Sequence, residues 1–403
     1  MSAQKNIFRI GVIHIYNFPY GLAPTTRITA YCKGLVSSGH KVDILAFTPQ
    51  EKGSAYPLRG ECSGGNYFHF SRMPKFKIPL ITGWSLIIYS ALRLLLHVYT
   101  EHKKEKYDAF ILSFDEPYQL KFFSYFLRRL KGVKIIAIAD EYPIPIRKYL
   151  KDSLPERRIL RYKDAYKHIH ARILMTEKLR DFYDSQISIR PTLLLSTIVD
   201  VDRFVNVKRL QVERKYLCYM GNMELSKDNV DNIIKAFALV SDRFPDLDLY
   251  LYGAPTQSTH AYLTSIINDN KLGDRVFLKG KASYQDVPYI LSNATILVSS
   301  QPDTKRAEGG FPTKLGEYFM TGVPALLTEV GEISQYVKNQ ANGYLVPPEQ
   351  PMLYAQAIEY IMNNYDEALS VAQNAKKFIL DNYSYDTAGK KIEDFIRKLK
   401  HQL

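Results

Sequence analysis

The fold class is determined by residues 8–47, FRIGVIHIYNFPYGLAPTTRITAYCKGLVSSGHKVDILAF. An apolar run at Phe8–Ile15 is followed by a loop, by a helical pattern from about Thr26 to Ser38, and by a second apolar run at Lys41–Phe47. A strand, a helix and a second strand at this spacing predict a βαβ unit, in which the two strands are parallel. The chain therefore begins as an α/β protein.

The rest of the 403 residues continues this alternation. Tyr107–Ser113 and Val133–Ala139 are almost wholly apolar, which is typical of parallel strands covered by helices on both faces. A second series begins near Lys215, with strands predicted at Tyr216–Met220, Leu247–Tyr252, Arg275–Leu278, Thr295–Ser299 and Ala325–Thr328. Two such series predict two doubly wound, Rossmann-like domains that face a central cleft.

The domain boundaries follow from the same pattern. We expect a first domain at residues 1–205, a second at 206–384, and a C-terminal helix at 385–403 that crosses back to the first domain. No basic-then-apolar signal peptide opens the chain, so we expect a cytoplasmic protein.

The positive charge is unevenly distributed. Residues 1–200 contain 31 Lys and Arg against 17 Asp and Glu, a net charge of +14, whereas the remainder carries −1. Such asymmetry indicates a polyanionic partner, either nucleic acid, an anionic membrane surface or a phosphorylated acceptor, unless the basic face serves solubility alone. No nucleic-acid-binding motif with interleaved aromatic residues is present, so we expect no nucleic acid partner.

Residues 78–92, IPLITGWSLIIYSAL, form an uncharged stretch that Arg93 ends. The stretch is shorter than the roughly 18 residues expected of a membrane-spanning helix. Helical spacing predicts one apolar face made of Trp84, Ile87, Ile88, Ala91, Leu95 and Val98. This amphipathic helix either packs on the core or lies in a membrane interface.

The strongest local motif is EGGFPTKLGEYFMTGVP, Glu308–Pro324, between a predicted strand and a predicted helix. Gly309 and Gly310 permit close backbone approach, and their amides could form an anion-binding concavity. Lys314 is predicted in the first helical turn, where the helix dipole already favours anions. Glu317, one turn later, could accept hydrogen bonds from vicinal hydroxyls such as those of a ribose. Alternatively, Glu317 is an ordinary first-turn acid.

This segment resembles the nucleotide-binding stretch of the GT-B fold, family 4-like glycosyltransferases of group 1. The resemblance implies that Glu317 binds the nucleotide ribose and that an earlier acid contacts the donor sugar. The earlier acid is expected at Gly309, and Glu308 lies one residue before it. Either Glu308 takes the role in a loop with one extra residue, or the backbone amides of Gly309–Phe311 do so. The resemblance also assigns donor contacts to Thr313, Lys314 and Leu315.

A second match lies at MGNMELSKD, Met220–Asp228, which resembles the diphosphate-binding loop of the family. Gly221 and Lys227 stand at the family's glycine and lysine, whereas Asn222 replaces its arginine. The missing positive charge could come from Lys314, Arg306 or Lys305. The resemblance also implies that Gly21 lies under the donor phosphates and that Gly253 ends a strand of the donor site.

The first domain is expected to bind the acceptor. Asp140 follows a predicted strand and could position or deprotonate the acceptor hydroxyl, with Glu141 beside it. Arg147 could bind a phosphate or carboxylate of the acceptor. Asp115 and Glu116 end the preceding strand and compete with Asp140 for the same role. All of these acids could instead be cap and loop residues.

The resemblance implies a retaining glycosyltransferase, acting on a nucleotide diphosphate sugar and a saccharide or lipid-linked acceptor in cell-surface polysaccharide or lipopolysaccharide synthesis. We expect a peripheral protein on the inner face of the cell membrane, with no cofactor and no metal, because the nine histidines lack metal-ligand spacing. The alternatives are a nucleotide-sugar epimerase of the same fold and a basic nucleic-acid-binding protein.

Overall fold

The computed structural model describes residues 7–21, 23–74, 81–149, 151–210 and 213–401, with only the backbone described for 81–83. The chain forms two compact units. The first comprises Met1–Pro145, Ser153–Asp200 and Ser384–Leu403, and the second comprises Ile146–Asp152 and Val201–Tyr383. The main chain thus passes to the second unit after Asp200 and returns at Ser384.

An eight-stranded sheet forms the centre of the first unit. Its strands are β1 (Arg9–His14), β2 (Lys41–Ala46), β3 (Arg59–Cys62), β4 (Gly65–His69), β5 (Ala109–Ser113), β6 (Lys134–Ala139), β7 (Ala171–Leu174) and β8 (Thr192–Leu194). Their order across the sheet is β3-β4-β2-β1-β5-β6-β7-β8, and β3 is antiparallel to β4. The central strands are almost wholly buried, as expected for parallel strands covered on both faces.

Helices connect these strands and cover both faces of the sheet. In chain order they are α1 (Ala23–Ser37), α2 (Ile81–Lys104), α3 (Pro117–Leu127), α4 (Ile144–Arg147), α5 (Glu156–Ala165) and α6 (Glu177–Gln186). The β4-α2-β5 and β5-α3-β6 connections run in one direction across the sheet, whereas β1-α1-β2 runs in the other. Because parallel crossovers are right-handed, α2 and α3 cover one face and α1 covers the opposite face.

Helix α2 exposes a different face from the one predicted. Ala91 and Val98 are buried as expected, together with Ser90 and Leu94. Trp84 and Ile88, predicted on the same face as Ala91, are exposed, so that part of the prediction was wrong. Their side chains instead continue a solvent-exposed row through Leu92, Leu96 and Tyr99. Residues 78–80 of the predicted stretch lie outside the described residues.

The second unit has a six-stranded sheet that is parallel throughout. Its strands are β9 (Lys215–Met220), β10 (Leu247–Tyr252), β11 (Val276–Gly280), β12 (Ile296–Ser299), β13 (Ala325–Thr328) and β14 (Tyr344–Val346), in the order β11-β10-β9-β12-β13-β14. The predicted fold class, α/β with two doubly wound domains, is confirmed by these two sheets.

The helices of this part of the chain are α7 (Asp202–Val205), α8 (Val230–Ala238), α9 (Gln257–Asp269), α10 (Val287–Ser292), α11 (Lys305–Gly309), α12 (Lys314–Met320), α13 (Ile333–Tyr336), α14 (Pro351–Asn363) and α15 (Tyr365–Tyr383). Helix α8 is anchored by Val230, Ile233, Ile234 and Phe237, whose helical spacing places them on one buried face. Helix α11 was not predicted; the sequence analysis left its residues as loop.

The last helix, α16 (Tyr385–His401), packs against α1 in the first unit. Two glycines allow the helices to approach closely, because a Cβ atom at Gly34 would lie 2.0 Å from the Tyr385 carbonyl oxygen. A Cβ atom at Gly389 would lie 2.2 Å from the Gly34 oxygen. The buried side of α16 carries Ala388, Ile392, Ile396 and Leu399.

Candidate functional site

The strand order of the second sheet locates the candidate site. From β9 the chain moves outwards through β10 to β11 and then returns to place β12 on the other side of β9. Ligands of open α/β sheets bind at such a reversal, beyond the carboxyl ends of the strands. Gly221 follows β9 directly, and the segment that leads to Lys314 follows β12. Both predicted donor motifs therefore lie at this reversal.

Gly221 is closely surrounded. A Cβ atom there would lie 2.2 Å from the Tyr219 hydroxyl and 2.8 Å from the Lys314 ammonium. A Cβ atom at Gly253, after β10, would lie 2.2 Å from the Gly221 carbonyl oxygen. The structure thus brings Gly221, Gly253 and Lys314 together, although they are far apart in the sequence.

Lys314 is held by a buried carboxylate that the sequence analysis did not identify. Its ammonium donates to Asp228 Oδ1 at 2.6 Å and lies 4.4 Å from the centroid of the Tyr219 ring. Asp228 is only 2% exposed. Burial lowers the pKa of Lys314, Asp228 opposes that shift, and the nearby charge of Lys227 adds to it. Two lysines therefore place positive charge at the turn after β9.

The other residues of this turn are engaged locally. Asn222 accepts a hydrogen bond from the Glu224 amide at 3.0 Å, which fixes the turn. Arg306 donates to Glu224 at 3.1 Å, and Lys305 donates to Glu308 at 2.5 Å. Of the three cations considered as replacements for the missing arginine, Lys314 is the one that the structure places against Gly221.

The glycine-rich turn differs from the predicted concavity. Residues 305–309 form α11, and the Gly310 amide donates to the Arg306 carbonyl at 3.1 Å. The Gly310 amide thus ends α11, and the donor contact expected of Gly310 stays a prediction. Gly309 is buried as the last residue of that helix. Glu308 also belongs to α11, where its carboxylate forms the ion pair with Lys305.

The residues around Lys314 divide into core and surface positions. Phe311 is 8% exposed and meets the Tyr336 ring edge-on at 4.7 Å. Leu315 is 1% exposed, so both residues can offer a ligand only their backbone. Thr313 precedes α12 without capping it through its side chain.

Glu317 lies in the first turn of α12 and is partly exposed. Arg203, in α7, donates to Glu317 Oε1 at 2.5 Å. The same guanidinium donates to the Tyr284 carbonyl at 2.8 Å and lies 3.7 Å from the centroid of the Tyr284 ring. Arg203 and Tyr284 were not identified from the sequence, because no local pattern links them to Glu317.

Comparison with known families agrees with this arrangement. Residues 200–378 match the family model "Glycosyl transferases group 1". This segment of the chain therefore resembles the group 1 glycosyltransferases. The matched range includes Gly221, Lys227, Lys314 and Glu317.

Individual relatives of this chain are distant. It is 21% identical to an uncharacterized glycosyltransferase of Methanocaldococcus jannaschii over 189 residues, 46% of each protein, so the match spans less than half of that relative. Its fold resembles sucrose-phosphate synthase from Thermosynechococcus elongatus, with a TM-score of 0.74, 16% identity, and coverage of 98% and 100% of the two chains. It also resembles Anabaena HepE, solved in complex with UDP and glucose, with a TM-score of 0.68, 13% identity, and coverage of 97% and 100%.

The first unit has its own strand-order reversal, between β1 and β5. Gly21 lies in the loop after β1, where a Cβ atom would be 2.4 Å from Thr25 Oγ1. Asp115 follows β5, and its carbonyl accepts a hydrogen bond from Tyr162 at 2.9 Å. The neighbouring Glu116 pairs with Arg158 at 2.6 Å.

Asp140 follows β6 and has a buried partner that was not identified from the sequence. Arg27 Nε lies 3.5 Å from Asp140 Oδ1, and its side chain is 5% exposed. Arg27 also donates to Tyr31 and to the Leu195 carbonyl, each at 2.6 Å. Asp140 is therefore held by a fixed cation. Glu141 lies beside it and is partly buried.

Arg147 lies at the end of α4, in the segment Ile146–Asp152 that belongs to the second unit. Within the described ranges, no group of three or more His, Cys, Asp or Glu side chains could hold a metal ion. No helix in those ranges is long and apolar enough to cross a membrane.

Proposed function

We propose that this protein transfers a sugar from a nucleotide diphosphate donor to an acceptor, and that Lys227 and Lys314 bind the donor diphosphate. The observation that supports this most is the position of the Lys314 ammonium against Gly221, at the strand-order reversal beside β9. A side chain at position 221 would collide with this ammonium, so the glycine allows Lys314 to approach the turn closely. Lys314 thus replaces the arginine that the family has where Asn222 stands.

The chemistry of the transfer requires this charge. The diphosphate becomes more negative as its bond to the sugar breaks, and fixed cations in a partly buried site stabilise that change. Before the donor arrives, the Asp228 carboxylate and the Tyr219 ring hold the Lys314 ammonium beside Gly221. Glu317 would accept hydrogen bonds from the ribose. We propose retention of configuration and an oxocarbenium-like transition state, as the family 4 resemblance implies.

For the acceptor, we propose that Asp140 orients or deprotonates the attacking hydroxyl. Its carboxylate is held by the buried Arg27, which suits a group that must keep one orientation. The roles of Glu308, Asp115, Glu141 and Arg147 remain predictions of the sequence pattern.

We further propose that the acceptor is presented at an anionic membrane surface on the cytoplasmic side. Helices α2 and α3 cover the same face of the first sheet, and each exposes apolar side chains, here together termed the apolar patch: Trp84, Ile88, Leu92, Leu96 and Tyr99 on α2, and Tyr118, Phe122, Tyr125 and Phe126 on α3. Basic side chains border it: Arg128 and Arg129 lie 4.4 and 4.5 Å from the centroid of the Tyr125 ring. Exposed apolar and aromatic groups bordered by cations are typical of interfacial membrane binding.

Isothermal titration with UDP, GDP and ADP tests the donor site. We expect Lys227→Met and Lys314→Met each to weaken nucleoside diphosphate binding about tenfold or more, since each removes a charge-assisted hydrogen bond. Lys314→Met is also combined with Asp228→Asn, so that no buried carboxylate is left without a counter-charge. Lys235→Met is the matched control, because Lys235 pairs with Asp231 on α8 in the same unit.

Unchanged affinity in both the Lys227 and Lys314 variants would reject the proposed diphosphate site. Incubation of a nucleotide sugar without an acceptor separates the transferase from the epimerase. An epimerase would convert the donor into its isomer and release no nucleoside diphosphate.

A further inference from the structure

Arg203 connects two segments that are distant in the sequence. It stands in α7, immediately after the chain enters the second unit, and its guanidinium reaches Glu317 on α12. The Arg203 side chain is 11% exposed and the Glu317 side chain 27%. A mostly buried cation thus meets a carboxylate that solvent can still reach.

The guanidinium is fixed in one orientation by three contacts. One arm donates to Glu317 Oε1, and the other donates to the Tyr284 carbonyl. Its plane lies against the Tyr284 ring, with 3.7 Å between the guanidinium carbon and the ring centroid. A planar, permanently charged group held in this way presents its N–H donors in fixed directions. It therefore restricts the rotamer of the carboxylate that it binds.

We infer that Arg203 is the positioning residue of the ribose subsite. It holds Glu317 by Oε1 and so directs Oε2 towards the ribose hydroxyls. This inference rests on the proposed function, in which Glu317 binds the ribose. Without Arg203, Glu317 would have to lose its side-chain freedom on binding, and the entropy lost would weaken its preference for hydroxyl groups.

A second arginine in the segment before β9, Arg209, shows that this segment can bind the second unit without the Glu317 carboxylate. Arg209 donates to the Gly322 carbonyl at 2.8 Å and to the Thr321 carbonyl at 3.4 Å, just beyond the end of α12. It binds the same region of the second unit through backbone groups alone. Arg209→Gln is therefore a matched control for any general effect of losing an arginine from the segment before β9.

The test compares UDP, GDP and ADP with their 2′,3′-dideoxy counterparts by isothermal titration. The quantity measured is the ratio of the two affinities in the wild-type protein and in Arg203→Gln, Arg203→Lys, Glu317→Gln and Arg209→Gln. We expect the wild type to prefer the ribose form about tenfold or more, because a buried hydrogen bond to a carboxylate is lost with the hydroxyls. Glu317→Gln should reduce this ratio to near one.

Arg203→Gln should reduce the ratio at least about fivefold while leaving the affinity for the dideoxy compounds unchanged, since it affects only how the carboxylate is presented. Arg203→Lys should give a ratio between those of Arg203→Gln and the wild type, and Arg209→Gln should have the same ratio as the wild type. Circular dichroism and thermal unfolding confirm that each variant is folded.

Each other outcome has one meaning. If Glu317→Gln loses the preference but Arg203→Gln keeps it, the inference is overturned and the proposed ribose contact stands. If Arg203→Gln weakens both ligand types equally, Arg203 is a structural residue only. If Glu317→Gln keeps the preference, the proposed ribose contact is rejected and the inference with it, whereas failure of the wild type to bind any nucleoside diphosphate would reject the proposed function itself.

Discussion

At the scale of single residues, the ammonium of Lys314 has two possible counter-charges, Asp228 and the donor diphosphate. Asp228→Asn removes the first of them. We expect the variant to lose about 3 kcal/mol of unfolding free energy, because a buried cation is left without its partner. We expect it to bind nucleoside diphosphates more tightly, by roughly tenfold, since no ion pair competes with the phosphate. Calorimetric unfolding and isothermal titration measure the two effects, and weaker binding would show that Asp228 assists the ligand.

The same pair predicts a dependence of affinity on pH. Burial lowers the pKa of Lys314, and Asp228 opposes that shift. Diphosphate binding requires the ammonium, so affinity falls as pH rises through this pKa. In Asp228→Asn the opposing effect is absent, and the fall should begin at a lower pH than in the wild type. Binding titrations between pH 7 and pH 10 would show this difference. Identical affinity–pH profiles for the two proteins would contradict the role of Lys314.

His14 at the end of β1 predicts acid sensitivity in the first unit. Burial and the nearby His69 lower the pKa of His14 to about 3. The unfolded chain binds a proton at an ordinary pKa near 6.5, so the contribution of His14 to stability is complete above that value and is lost as pH falls. At pH 5 the loss is about 2 kcal/mol.

The matching variant is His14→Asn, whose amide oxygen can accept the hydrogen bond that Nδ1 receives from the Tyr16 amide. Its melting temperature should fall less than that of the wild type between pH 8 and pH 5. An equal fall in both proteins would exclude His14 as the titrating group.

Local sequence motifs indicated candidate ligand-binding residues, but they did not indicate the residues that support them. Gly221, Lys227, Lys314 and Glu317 belong to local motifs, and the structure places the first three around one turn. Their supporting partners do not follow from local sequence. Arg203 and Glu317 are separated by 114 positions, and Arg27 on α1 meets Asp140, which follows β6, only in the folded chain.

At the scale of secondary structure, long apolar runs made the strands predictable, and short polar elements were missed. Strands β9, β10, β12 and β13 lie within one residue of their predicted bounds. Strand β3 reads RGEC and carries no apolar alternation, so nothing in it indicated an edge strand. Helix α11, which contains Glu308, was missed because two glycines suggested a loop.

If the protein binds membranes as proposed, the exposed row on α2 should contribute to that binding. Trp84 and Leu92 are 63% and 61% exposed, so replacing both with Ser should change the unfolding free energy by no more than about 0.5 kcal/mol. Binding to vesicles that contain phosphatidylglycerol should fall about tenfold or more, because two large apolar side chains no longer enter the interface.

Met352→Ser with Leu353→Ser is the matched control for this experiment, since both residues are exposed on α14 in the second unit. Its vesicle affinity should equal that of the wild type. An equal loss of vesicle affinity in the control, or no loss in the α2 variant, would show that α2 is not part of the membrane-binding surface. The patch could instead bind a second copy of the chain. Gel filtration of both variants tests this alternative, because loss of such a contact would change the oligomeric state.

At the scale of the whole molecule, the apolar patch and the charge distribution lie in the same unit. Residues 1–200 carry a net charge of +14, and the rest of the chain carries −1. An anionic surface would attract the first unit over a distance set by ionic strength, and the patch on α2 and α3 would then enter the interface. Neither feature alone specifies a membrane, because a basic surface also binds other polyanions and an apolar surface also binds proteins.

Their combination predicts a charge effect confined to one unit. Replacing Arg128 and Arg129 with Glu should reduce binding to anionic vesicles about tenfold or more, because each basic residue near the surface contributes about 1 kcal/mol. Replacing Lys376 and Lys377 with Glu changes the net charge equally, in α15 of the second unit, and should have little effect. Co-sedimentation with vesicles at low and high salt measures the binding of both double variants. Little protein should sediment with neutral vesicles at either salt concentration. If the two double variants lose binding equally, net charge alone would govern adsorption, and the patch would not direct it.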